Sequence, residues 1–139
     1  MTKQEKLQAL NAFKKNTMLG TLDINFTDLN EEEGWVKATM PVTPTVHQPY
    51  GLLHGGATAA LAESLGSASS VLFLDPTKQY PVGVELSCNH VRSIRDGMVT
   101  ATAQIIHKGR SSHLWQIRVE DEQGKLISIC KLLNFIKDV

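Results

Sequence analysis

The sequence has few of the features that mark specialised classes of protein. Its two cysteines, Cys88 and Cys130, are far apart and form no C-x-x-C pair, so neither a disulfide scaffold nor a metal site is indicated. The 14 Lys and Arg residues balance the 14 Asp and Glu residues, which argues against a dedicated nucleic-acid or membrane-surface binder. No signal peptide or membrane-spanning run is readable, so a cytoplasmic protein is expected.

The pattern of apolar residues predicts one α+β domain over residues 1–139. A chain of 139 residues fits one domain and can bury a core without disulfides or metals. Residues 2–16 have helical spacing, and alternating runs at 22–27 and 36–40 predict two half-buried strands. A long helix is expected over 53–73, where apolar residues form one stripe.

Four more strands are predicted after this helix. They cover residues 80–91, 98–107, 113–119 and 126–136. Short gaps with Gly and Asp separate the last strands, which favours an antiparallel meander. One long helix with about six strands indicates a sheet wrapped over that helix.

The predicted central helix carries a single charged residue, Glu63, between His54 and Asp75. At 100° per residue Glu63 lies opposite the apolar stripe, on a face of small residues. These neighbours are Gly56, Ala59, Gly66, Ser67 and Ser70. Because a solvated helix face normally carries charges, we expect this face to be covered and Glu63 to be partly buried. Such a carboxylate is either catalytic or paired with a cation from another strand or subunit.

A loop runs directly into the start of this helix. The first N–H groups of a helix have no intrahelical partner, and Gly55 and Gly56 leave them open to a ligand oxygen. They form a candidate oxyanion hole, unless the glycines serve only the entry turn.

Three polar residues lie close to these features in the sequence. His54 either donates to a ligand or caps the loop, and Gln48 is either a donor to a carbonyl oxygen or a solvent-facing residue. Ser67, one turn after Glu63, either holds a water or the substrate or is simply small enough to pack.

At these residues the sequence resembles the hotdog-fold acyl-CoA thioesterases, in the branch of phenylacetate-pathway and 4-hydroxybenzoyl-CoA thioesterases. The segments that carry the resemblance are 38–42, 48–56, 61–67, 89–92 and 115–117. The resemblance implies a hotdog fold and edge-to-edge pairing of two chains. It further implies that dimers associate into a homotetramer and that the active sites lie at the dimer interface.

The resemblance also implies the roles of individual residues. The Gly55 N–H would polarise the thioester carbonyl, with Gln48 and His54 beside it. Glu63, supplied across the interface, would attack the carbonyl directly or activate a water, and Ser67 would be the accompanying hydroxyl. No metal or cofactor is expected, because CoA is part of the substrate.

Two late segments are candidates for binding the anionic CoA. Their residues are His90, Arg92, Arg95, Gly109, Arg110 and Ser111. The arginine fork suits phosphate, and Arg92 and Arg110 are favoured over Arg95. The alternative for each is ordinary solvated charge at a strand end.

The implied function is hydrolysis of an acyl-CoA thioester. The expected substrate is an aroyl-CoA such as 1,4-dihydroxy-2-naphthoyl-CoA of menaquinone biosynthesis. A broad medium-chain or proofreading thioesterase, and a protein that binds CoA esters without turnover, stay open as alternatives, since one fold supports several functions.

Overall fold

A six-stranded antiparallel sheet wraps one long helix in the computed structural model, which describes residues 1–139. The α-helices are α1 (Lys3–Asn11), α2 (Met18–Thr21) and α3 (Gly55–Ser70). The strands are β1 (Asn25–Asn30), β2 (Trp35–Pro41), β3 (Gln79–His90), β4 (Met98–Lys108), β5 (Ser112–Glu120) and β6 (Leu126–Asp138). Short 3-10 turns cover Ala12–Lys14, Pro44–Val46 and Val71–Phe73.

The strands follow the order β1-β2-β4-β5-β6-β3. Strands β4, β5 and β6 form the predicted meander, but β3 does not join its sequence neighbour β4. Instead β3 lies at the edge of the sheet and pairs only with β6, with Cys88 opposite Cys130. The other side of this long strand is therefore free.

The core lies between the concave face of the sheet and the apolar stripe of α3. Leu61, Leu65 and Ala68 of the helix are buried there. Alternate residues of the strands meet them: Val36, Ala38, Met40, Val99, Ala101, Ala103, Trp115, Ile117 and Val119, all buried. The strand alternation read from the sequence is confirmed in β2, β4 and β5.

Three predicted boundaries are wrong. The first strand begins at Asn25 rather than 22, because Asp23 adopts a positive φ of 54° that interrupts the extended chain. The N-terminal helix ends at Asn11, and a 3-10 turn and a positive φ of 60° at Asn16 follow it. The central helix has 16 residues, not 21, and its last predicted turn tightens into 3-10 geometry.

None of the helices combines the length and the apolar character that crossing a membrane requires.

Candidate active site

The start of α3 has one backbone donor without a partner. His54 caps the helix: its Nδ1 accepts from the Gly56 N–H at 2.7 Å, which places the proton of the neutral ring on Nε2. The N–H groups of Ala57 and Thr58 donate to the His54 carbonyl at 3.0 and 3.2 Å. Only the Gly55 N–H has no acceptor, so the two-glycine oxyanion hole expected from the sequence narrows to Gly55.

The loop before the helix is held together by Gln48. Its Oε1 accepts from the N–H groups of Tyr50 and Leu52, and its own N–H donates to the Leu52 carbonyl at 2.8 Å. The amide oxygen is therefore engaged inside the loop, while no protein group accepts from Nε2. The half-buried Gln48 side chain keeps its NH₂ group as a free donor.

His90 closes over the helix start. A Cβ added to Gly55 would lie 2.8 Å from the His90 ring atoms Nε2 and Cδ2, so only glycine fits there without displacing the ring. The Ser128 hydroxyl donates to the Asn89 carbonyl at 3.1 Å and accepts from His90 Nδ1 at 3.0 Å. In the neutral ring Nε2 then carries a lone pair beside Gly55.

These groups share one depression of about 320 Å³. Gln48, Gly55, His90 and Arg92 line it, and the exposed Arg92 is at its rim. The depression thus brings the free helix N–H, a neutral donor and a cation to one place. Among the candidates for binding CoA, His90 and Arg92 are the two that join the helix start.

Glu63 lies in a second depression, of about 520 Å³, on the outer face of α3. Small residues of the helix line it with Met18 and Leu86. In the single chain Glu63 is exposed and forms no ion pair, so the expectation of a partly buried carboxylate is not met without a second chain. Gly83 of β3 lies directly below it, since a Cβ there would be 2.8 Å from Glu63 Oε2.

Two residues assigned to the Glu63 face belong elsewhere. A Cβ on Gly66 would lie 2.6 Å from Leu132 Cδ2, so this glycine permits close packing of α3 on β6. Ser70 is fully buried and accepts from Trp115 Nε1 at 2.8 Å. The strands curl around the end of the helix, so they bury part of the face that the 100° spacing per residue assigned to the same side as Glu63. Ser67, in contrast, lines the same depression as Glu63.

Gly55 and Glu63 do not meet within one chain. They are eight positions apart on one helix, which separates them by about 12 Å along its axis. They also line different depressions. A single chain therefore does not bring the two groups into one site.

Comparisons with known proteins decide the family. The sequence profile described as "Thioesterase superfamily" matches residues 50–128, more than half of the chain. The chain belongs to the thioesterase superfamily. It is 42% identical over 130 residues to the 1,4-dihydroxy-2-naphthoyl-CoA hydrolase of Escherichia coli, covering 94% of this chain and 93% of that protein. It is 46% identical over 126 residues to the proofreading thioesterase EntH of Klebsiella pneumoniae, covering 91% and 90%.

A solved structure agrees with this family and with the hotdog fold. The crystal structure of a glutamine-to-alanine mutant of thioesterase PA1618 from Pseudomonas aeruginosa superimposes on this thioesterase with a TM-score of 0.92. The two chains are 43% identical, and the match covers 96% of this chain and 94% of that one. The predicted fold and family are thereby confirmed.

The remaining candidates for CoA binding in this thioesterase do not line the depression at the helix start. Arg95 donates from Nη1 to the Tyr50 carbonyl at 3.2 Å and so braces the loop. Gly109, Arg110 and Ser111 form the β4–β5 turn, which is at the opposite end of the sheet because α3 ends beside β5. Within one chain these three residues cannot act with His90 and Arg92.

Sequence reasoning missed two residues that support the site of this thioesterase. Ser128 orients His90, and Asn134 accepts from the Ser67 hydroxyl at 3.3 Å. Asn134 is fully buried and alternates with Leu132 and Ile136 on the inward side of β6. Asn134 could have been found from the sequence, because it is a polar residue at a position where the alternation of β6 predicts an inward-facing apolar side chain. No three or more His, Cys, Asp or Glu side chains come together in a metal-binding arrangement.

Proposed function

We propose that this thioesterase hydrolyses an aroyl-CoA such as 1,4-dihydroxy-2-naphthoyl-CoA, in the cytoplasm and in menaquinone biosynthesis. The observation that carries the proposal is the single unpaired N–H of Gly55 at the start of the helix that also carries Glu63. An N–H at a helix N-terminus stabilises the negative charge that develops on a thioester carbonyl oxygen. The hydrolase from Escherichia coli, 42% identical, supports the choice of acyl group.

The catalytic carboxylate is Glu63 of a second chain. It either attacks the carbonyl carbon to form an anhydride or activates a water for the same attack. Gln48 donates to the carbonyl oxygen alongside Gly55, and His54 fixes the helix cap. His90, Arg92 and Arg95 from one chain, with Gly109, Arg110 and Ser111 from another, bind the phosphates of CoA.

The free edge of β3 supports the pairing of two chains. This strand has 12 residues, and alternate apolar side chains along it, Tyr80, Val82 and Val84, are exposed. An unpaired edge of this length is a ready template for a second strand. Two copies joined at β3 form a continuous sheet, and two such dimers form the proposed homotetramer.

Thiol release from a panel of esters tests the proposal. The panel contains 1,4-dihydroxy-2-naphthoyl-CoA, benzoyl-CoA, phenylacetyl-CoA and a medium-chain acyl-CoA. We expect fast turnover of the naphthoyl ester that Glu63→Gln reduces by at least about 100-fold. Glu32→Gln, in the exposed β1–β2 turn, is the matched control and should retain full activity. Equal activity of Glu63→Gln and wild type would refute the role of Glu63.

A complementation experiment tests the shared site. Glu63→Ala and Gln48→Ala chains are each inactive alone, but a mixed dimer contains one intact site. Random mixing should therefore restore about one quarter of the wild-type activity. Failure of the mixture to recover activity, with mixed dimers present, contradicts a site built from two chains.

The second candidate is a proofreading thioesterase. The 46% identity to EntH of Klebsiella pneumoniae favours it. Similar modest rates on all four esters would select this candidate over the menaquinone enzyme. Binding of CoA esters without thiol release would instead select a non-catalytic binding protein.

A further inference from the structure

A chain of hydrogen bonds connects the Glu63 depression to the buried end of α3. The Ser67 hydroxyl donates to Asn134 Oδ1 at 3.3 Å. Asn134 Nδ2 donates to Ser70 Oγ at 2.9 Å and to the Gly66 carbonyl at 3.3 Å. Asn134, Ser70 and the aromatic partners of Ser70 are buried, so these contacts are shielded from water.

The orientation of the Asn134 amide follows from its neighbours. The Gly66 carbonyl can only accept, so the Asn134 atom beside it must be the NH₂ group. Its second N–H points to Ser70, and the amide oxygen is left facing Ser67. An oxygen there can only accept, and the Ser67 hydroxyl must donate to it.

Ser70 adds a second contact to the orientation that the Gly66 carbonyl sets. The Ser70 oxygen accepts one hydrogen bond from Trp115 Nε1, which can only donate, and one from Asn134 Nδ2. These two hydrogen bonds occupy both lone pairs of the hydroxyl. The Ser70 proton must then go to His113 Nδ1, 2.9 Å away. Burial lowers the pKa of His113, which favours the neutral ring that this hydrogen bond requires.

The Ser67 oxygen therefore faces the Glu63 depression with acceptor lone pairs alone. Ser67 and Glu63 are one helical turn apart, which puts their Cβ atoms about 5–6 Å apart. Both side chains also line the same depression, so one molecule that donates two hydrogen bonds can bridge the two acceptors, and water is such a molecule.

We propose that Asn134 is a positioning residue that commits the Ser67 proton and thereby makes Ser67 and Glu63 a pair of acceptors for the attacking water. The inference rests on the proposed role of Glu63 and selects its water-activating route. The water oxygen bonds to the thioester carbonyl carbon, and one water proton passes to the Glu63 carboxylate. The C–S bond then breaks with its electron pair on sulfur, and Glu63 returns the proton to the CoA thiolate.

A pair of variants of similar shape tests this role. Asn134→Thr supplies a hydroxyl oxygen that can accept from Ser67, whereas Asn134→Val supplies no acceptor. We expect Asn134→Val to lower kcat about tenfold at unchanged KM, and Asn134→Thr to recover most of that loss. Both variants are checked for folding by Tm and by sedimentation.

A double-mutant cycle separates this role from a structural one. Ser67→Ala alone should lower kcat about tenfold, and adding Asn134→Val to it should lower kcat no further, because the residue acts through Ser67. Ser70→Ala is the control. It removes the contacts of the Ser70 hydroxyl to Asn134, Trp115 and His113 but leaves the Gly66 carbonyl that orients the Asn134 amide and the contact of Asn134 with Ser67. It should therefore lower Tm and change kcat less than about twofold.

The outcomes distinguish the inference from the function on which it rests. A folded Asn134→Val enzyme with wild-type kcat, or a loss that adds fully to that of Ser67→Ala, overturns the role of Asn134. Retention of wild-type thiol release by Glu63→Gln overturns the role of Glu63 instead, and absence of thiol release by the wild-type enzyme overturns the proposed function.

Discussion

Gly83→Ala should disable the enzyme without unfolding it. The Cβ that this substitution adds would lie 2.8 Å from Glu63 Oε2, whereas ordinary contact begins at 3.4 Å. The carboxylate must therefore move by about 0.6 Å or more, the difference between the two distances. A misplacement of about 1 Å in a reacting group can reduce the rate about 100-fold, so we expect kcat to fall by about 10- to 100-fold.

The same geometry predicts little effect of Gly83→Ala on stability. The atom that must move is the end of a flexible, exposed side chain, and the Cβ would be 3.4 Å from Leu132 Cδ1, which is an acceptable contact. The φ of Gly83 lies outside the left-handed region, and alanine is about 0.5–1 kcal/mol better than glycine inside a strand. The Tm should be unchanged or slightly higher.

Thiol release, thermal unfolding and sedimentation together test this expectation. Ser87→Ala, exposed on the same strand, is the matched control and should leave kcat and Tm unchanged. If the Gly83→Ala variant has the same kcat as the wild type, the position of the Glu63 carboxylate does not limit the reaction. A Tm lower by several degrees would show that the backbone, rather than Glu63, absorbs the contact.

Three further predictions concern the cap, pH and thiol reactivity. His54→Ala removes the acceptor of the Gly56 N–H and should lower stability by about 1 kcal/mol, measured by urea unfolding, with His54→Asn restoring most of it. Burial lowers the pKa of His113, so the unfolded chain binds more protons and stability should fall as pH drops below about 6.5; His113→Gln should flatten this dependence in thermal scans. Burial and the neighbouring Cys130 raise the pKa of Cys88 to about 12, so iodoacetamide at pH 8 should label it only after unfolding; labelling of the native protein at the rate of a free thiol would contradict this.

The sequence predicted the strands better than their arrangement. Period-two alternation depends on each residue's own side chain, so β2 and the last three strands were found within one or two residues of their observed starts and ends. The pairing of β3 with β6 joins segments about 50 residues apart along the chain, and no local pattern encodes it.

Candidate site residues could be proposed one by one from the sequence, but their arrangement in space could not. Helical arithmetic identified Glu63 and Ser67 because both lie on the outer side of α3, and it misplaced Ser70 because neighbouring strands curl over the helix end. The partner of the Gly56 N–H depends on the rotamer of His54, which sequence does not give. The face of small residues predicted a covered Glu63, but Glu63 is exposed in the single chain, because the strands of this chain pack on the other side of α3.

The position of β3 has a consequence for how this chain folds. Its only partner within the chain is β6, the last strand in the sequence, so β3 leaves the ribosome with both edges unpaired. During synthesis its apolar residues, Tyr80, Val82 and Val84, stay open to other nascent chains. When β6 pairs with β3, one of the two unpaired edges of β3 is covered and one remains. Folding speed at this step therefore sets how long the chain is vulnerable to aggregation.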